Sequence, residues 1–90
     1  MQGLPSWYIA KQEKAERQEA RTREECSRRV DECQHELRTA SPTLKPGVVG
    51  RWSRYADELE KTAMGGMFSN SQKAEMRGAV AAIRRTLKPA

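Results

Sequence analysis

Cys26, Cys33 and His35 are the residues best suited by type to chemistry, as thiol nucleophiles or soft metal ligands, so their spacing comes first. On a helix the two thiols stand seven positions apart, about 10 Å along the axis, too far to bridge one another. His35 follows Cys33 by two positions and is turned well away from it, so the three residues do not make a zinc pattern. Two reduced cysteines serving as small core residues, with a solvated histidine, is the reading that fits. Glu32 and Glu36 share a helix face, but on a charged surface stretch rather than in a cleft, which is a poor setting for acid–base work. The glycine-containing run Gly65–Asn70, GGMFSN, lacks the Lys-Ser/Thr pair that would touch phosphate and metal. The chain is therefore expected to be non-enzymatic, with no cofactor and no metal.

Two further groups are suited to binding. Leu4, Trp7, Tyr8 and Ile9 form an apolar cluster near the N-terminus, of the kind that marks protein interfaces. Lys73, Arg77, Arg84 and Lys88 recur at intervals of four, seven and four, which aligns them on one helix face with Arg85 beside them. With Asn70 and Gln72 ahead of that stripe, residues 65–88 can be read as a loosened helix-turn-helix. The turn of six residues from Gly65 to Asn70 is nonetheless longer than the usual three or four.

The elements that must position these groups are helices. Residues 6–40 contain no Gly or Pro and are dense in Ala, Glu, Gln, Lys and Arg, with Glu-to-Arg pairs at i,i+4: Glu13 with Arg17, Glu19 with Arg23, Glu24 with Arg28, Glu25 with Arg29. Ser41-Pro42 ends the helix, because proline disfavours the α conformation in the residue before it. Cys26, Val30, Cys33 and Leu37 give its last third an apolar stripe, while Lys11 to Glu25 has no apolar side chain larger than alanine. A polar rod thus separates the N-terminal cluster from the core by over ~20 Å.

After the connector SPTLKPG, residues 46–64 place Val48, Trp52, Tyr55, Ala56, Leu59 and Ala63 on one face. Gly65-Gly66 is expected to stop this helix through a left-handed glycine, with Met67 and Phe68 plugging the end of the core. Ser69 and Gln72 stand at capping-box spacing ahead of a third helix, 70–88, whose stripe is Met76, Val80, Ile83 and Leu87. Gly78, Ala79, Ala82 and Thr86 line a small-residue face that would admit a close neighbour, either the first helix or another chain. The predicted fold is all-α: a long N-terminal helix packed by its C-terminal end on an antiparallel helical hairpin, in one small domain of 90 residues. The expected core is Val30, Leu37, Trp52, Tyr55, Leu59, Phe68, Val80, Ile83 and Leu87.

Charge divides at Ser41. Residues 1–40 carry eight Lys or Arg and eight Asp or Glu, and residues 41–90 carry nine and four, so the net +5 belongs to the second half. Such asymmetry argues for two surfaces with different partners, or for one partner with two kinds of patch. No run is long or apolar enough for a membrane span or a secretory signal, and a soluble cytoplasmic protein is expected. The functional expectation is a small protein-binding modulator, adaptor or inhibitor, acting on a larger and nucleic-acid-handling protein complex through Leu4, Trp7, Tyr8 and Ile9. It is the style of short, charged, motif-free helical chains encoded by phages and mobile elements, which act in the host cytoplasm. The alternative is a basic DNA- or RNA-binding protein using helix 70–88. Besides a partner, the N-terminal cluster has two other ways to be buried: fold-back onto the 44–87 core, for which the Gly- and Pro-free stretch from Lys11 to Glu25 offers no break, and antiparallel self-pairing of two chains.

Overall fold

The computed structural model describes residues 6–88, apart from the side chains of residues 7–9. Three helices follow in order: α1, Ser6–Thr39; α2, Lys45–Met64; and α3, Asn70–Leu87. Their limits lie within one residue of those predicted, and the all-α arrangement of a long helix on a hairpin is the one observed.

Local sequence accounts for the ends. The Ser41 carbonyl accepts from the N–H groups of Leu44 and Lys45 at 3.0 and 2.9 Å, a tight turn that delivers Pro46 into the first turn of α2, where its missing N–H is not needed. Ser69 caps α3 with a complete capping box. Its hydroxyl accepts from the Gln72 N–H at 3.2 Å, and the Gln72 side chain accepts from the Ser69 N–H at 3.0 Å. The end of α2 departs from expectation. Gly65 is extended, with φ −77° and ψ 172°, and no described glycine has positive φ. The chain leaves α2 through a bond from the Gly65 N–H to the Thr62 carbonyl, at 3.1 Å, so no left-handed residue is needed.

Packing produces two contiguous clusters. Cys33, Trp52, Ala56, Val80 and Ile83 form the larger, with Val30, Leu37, Val48, Tyr55, Leu59 and Leu87 packed around them. Cys26, Ala63, Met76 and Ala79 form the smaller, nearer the α2–α3 turn, with Phe68 against it. All nine expected core residues lie in or against these clusters. The largest fully enclosed side chains are Ile83 and Cys33, each with no exposed surface, as Ala56 and Ala63 also have none. Trp52 meets Tyr55 edge-on, with ring centroids 5.3 Å apart and planes at 80°, an arrangement that aromatic quadrupoles favour. Ala79 seats α3 against Cys26 of α1, so the small-residue face is used within the chain. Gly78 is not part of that approach: a Cβ built there meets nothing within 4 Å.

One interhelical ion pair or cluster spans each helix interface. Arg23 of α1 reaches Glu75 of α3 at 3.4 Å, Arg51 of α2 pairs with Glu36 of α1, and Arg84 of α3 meets Asp57 and Glu60 of α2, each at 2.9 Å. These partners show that α1 and α3 run in one direction and α2 in the other. Arg23 therefore does not pair with Glu19, and Arg28 turns to Glu25 at 2.5 Å and Glu32 at 3.5 Å rather than to Glu24. Glu13 with Arg17 and Glu25 with Arg29 are paired as expected.

The start of α3 is tied to α1 at Thr22, the α2–α3 turn reaches as far as Gln18, and α1 continues beyond both. Residues 10–18 are exposed at every position. The radius of gyration, 17.2 Å, exceeds the ~12 Å of a compact chain of this length because of that projecting rod. The unbroken helix from Ser6 also excludes a fold-back of α1 onto the bundle, which would need a break between Lys11 and Glu25.

Candidate protein-binding surface at the base of the rod

Where α1 leaves the bundle, the α2–α3 turn does not close over it. The result is an open groove of about 500 Å³, with Gln18, Arg21, Thr22, Glu25 and Cys26 on its α1 wall. Tyr55, Leu59, Met67, Phe68, Gln72 and Met76 form the rest, making the groove largely apolar. Met67 was expected to plug the core, yet it is 90 % exposed at the rim, and Met64 beside the turn is 75 % exposed. The cause is the extended Gly65, which carries the chain away from the helix ends and leaves only Phe68 to fold inward. Methionine suits such a rim, since its unbranched thioether adapts to the shape of a partner.

Polar bonds hold the groove walls in place. Gln72, buried at the N-terminal turn of α3, serves the capping box with its oxygen and donates through Nε2 to the Thr22 hydroxyl at 2.9 Å. Thr22 in turn donates to the Gln18 carbonyl at 2.9 Å. One glutamine thus fixes the start of α3 and ties it to α1. The Arg29 guanidinium lies 5.6 Å from the centre of the Tyr55 ring, over its face, which joins α1 to α2 behind the groove. Burial pushes the Tyr55 hydroxyl above its ordinary pKa.

Burial also pushes both thiols, Cys26 and Cys33, above the ordinary cysteine range, so each is a poor nucleophile. Both are free cysteines within the core. Among the described residues no group of three or more His, Cys, Asp or Glu is placed to hold a metal ion. Glu32 accepts from Arg28 and Arg29 while Glu36 pairs with Arg51, which ties the two carboxylates into separate structural pairs.

The basic stripe is less uniform than its spacing implies. Arg84 is held by Asp57 and Glu60, and the hydrogen bond from its guanidinium is the main reason the Glu60 carboxyl lies below the usual carboxylate range. Lys73, Arg77, Arg85 and Lys88 have no ion-pair partner among the described residues. The stripe is therefore interrupted at its third member by two carboxylates from α2.

Leu4 lies outside the described residues, as do the side chains of Trp7, Tyr8 and Ile9. The backbone of residues 7–9 continues α1, and 19 positions of helix separate Trp7 from Cys26, about 28 Å. Sequence reasoning missed the groove. Its only signal was the pair Met67 and Phe68, large and apolar side chains in the short connection between two helices. Among the described residues no helix is long and apolar enough to cross a membrane. No family model, curated protein or solved structure matches this chain.

Proposed function

We propose that this protein is a non-enzymatic helical binding module that modulates a larger protein partner, using the projecting end of α1 and the apolar groove at its base. The observation that carries this reading is the unbroken rod: α1 extends past the bundle, exposed throughout residues 10–18, beside a groove rimmed by exposed methionine. A helix of this kind contributes little to folding, since it buries almost nothing, but it carries the backbone of residues 7–9 away from the bundle, at the positions where the sequence has Trp7, Tyr8 and Ile9, with Leu4 preceding them in sequence. Aromatic anchors are enriched where interfaces concentrate their energy. The net positive second half steers encounter toward acidic or nucleic-acid-handling surfaces. Trp7→Ala combined with Ile9→Ala is expected to leave helix content and the melting temperature in dilute solution nearly unchanged while abolishing partner capture in a pull-down read by mass spectrometry. Equal capture by the double variant would remove the N-terminal segment from the binding surface.

A second reading, binding of DNA or RNA along α3, draws on the unpaired cations Lys73, Arg77, Arg85 and Lys88. It is the weaker reading because Asp57 and Glu60 stand beside the stripe at Arg84, where phosphate would be repelled. Its test is salt dependence: genuine phosphate contacts lower log K by ~0.7–0.9 per contact against log salt. No shift of duplex or single strands at low salt would eliminate it.

A further inference from the structure

The rod has an internal pattern that neither the fold nor its own salt bridges require. Taking Ala15 as a centre, positions whose numbers sum to 30 pair as follows: Lys14 with Glu16, Glu13 with Arg17, Gln12 with Gln18, Lys11 with Glu19, Ala10 with Ala20. Every charged residue from 10 to 20 meets its opposite, each glutamine meets a glutamine, and alanine meets alanine. A helix with this mirror is complementary to a second copy of itself laid antiparallel, with the two-fold axis at Ala15. Parallel in-register pairing would instead set Lys11 on Lys11 and Glu19 on Glu19.

The face of the rod selects the same geometry. The stripe that the bundle covers, Leu37, Cys33, Val30 and Cys26, continues backwards at helical spacing through Thr22, Glu19 and Ala15. On the N-terminal side of the half-buried Glu19 every position from 10 to 18 is exposed, Ala15 included. Residues three and four positions from Ala15 share its face, and these are Gln12, Gln18, Lys11 and Glu19. The two exact mirror pairs on the contact face are therefore an amide pair and a charge pair, and a small residue sits on the axis where the helices approach most closely.

Register then decides what meets the groove. In the same pairing, position 22 of one copy lies opposite position 8 of the other, and position 21 opposite position 9. Thr22 and Arg21 belong to the α1 wall of the groove, so positions 8 and 9 of the second copy arrive at its opening between α1 and the α2–α3 turn. We infer that the occupant of the rod face and groove is a second copy of this chain: an antiparallel, two-fold dimer centred on Ala15, in which the first turns of each copy's α1 meet the base of the other's rod. This rests on the reading of rod and groove as a protein-binding surface, and makes self-pairing a competitor of any larger partner there. The contact is isologous and closes after two copies.

The decisive experiment is a charge swap read by sedimentation equilibrium, with circular dichroism confirming helix content. The wild type is expected to move from the single-chain mass of 10.2 kDa toward twice that value as concentration rises from about 1 µM to 1 mM. Lys11→Glu and Glu19→Lys, each alone, place like charges opposite each other twice per dimer and are expected to weaken pairing by about tenfold. Mixing the two variants restores both opposite-charge pairs, and the mixed dimer is expected to match the wild type. Ala15→Cys should cross-link to a covalent dimer under mild oxidation, since Cys26 and Cys33 are buried and do not compete. A wild type that stays at single-chain mass, an assembly larger than two, or a mixture no tighter than either variant alone would overturn the inference. Capture of a larger protein by a chain that stays monomeric would do so too, while upholding the binding-module reading; loss of capture in Trp7→Ala/Ile9→Ala tests that reading separately.

Discussion

Ile83 is the largest wholly enclosed side chain among the described residues, in a cluster drawn from all three helices. Ile83→Ala removes three carbons from a site with no water access and leaves a cavity, at an expected cost of ~2–5 kcal/mol. That is a large part of the stability of a domain this small, and a denaturant melt should show it as a fall in midpoint with unchanged slope. Leu59, which is only half-buried beside the groove, should lose less on truncation to Ala. The two cysteines are legible at this scale from spacing alone, since four-three-four positions with Val30 and Leu37 put them on one apolar stripe. Gln72 is different. Its type and its place three after Ser69 specify a capping box, but the bond to Thr22 joins residues 50 apart in sequence, and no local pattern encodes that partner.

At the scale of the element, α3 departs from ideal helix composition at Gly78, in its interior and on its exposed side. A Cβ at Gly78 meets nothing within 4 Å, so Gly78→Ala is expected to stabilise the protein by ~0.4–1 kcal/mol, chiefly by restricting the unfolded chain. Lower thermal stability in that variant would mean that the backbone needs freedom there or that another surface approaches it. The α2–α3 interface gives a pH prediction. Arg84 holds the Glu60 carboxyl below its ordinary value of 4.5, so the folded state binds this proton less readily than the unfolded state. The stabilisation is accordingly complete above about pH 5 and is lost as pH falls through the depressed carboxyl pKa. Arg84→Met should be less stable than wild type at neutral pH, with the gap narrowing progressively on acidification below pH 4.5. A gap independent of pH would assign the effect to packing of the arginine stem. Both carboxylates are exposed, so raised salt should shrink the same difference.

For the molecule as a whole, the division of labour between rod and bundle is the testable feature. Removing residues 1–16 deletes exposed helix but none of the described core, so the melting temperature in dilute solution should be retained. Helix content should fall by the share that residues 6–16 hold of the three helices together, about one part in seven. A large loss of stability would show that the N-terminal segment packs on the bundle.

Composition and periodicity determined most of this architecture by themselves. The Gly- and Pro-free run 6–40, the Pro-marked connector and the Ser69–Gln72 pair locate three helices, because helix propensity and capping act over a few residues. Stripes at helical spacing likewise select the buried faces, since each helix has only one face that is apolar enough. The tertiary structure alone decided which cations remain unpaired, because Arg84 meets Asp57 and Glu60 across a helix interface and not along α3. It alone decided that Arg23 leaves Glu19 for Glu75, since an alternative partner 52 residues away competes with the local one only once α1 and α3 are packed. It also decided that the turn after Gly65 leaves a groove instead of a plug. Whether Met67 is buried depends on the direction in which an extended backbone leaves α2, and that direction is set by how α3 docks on α1 through Thr22 and Gln72.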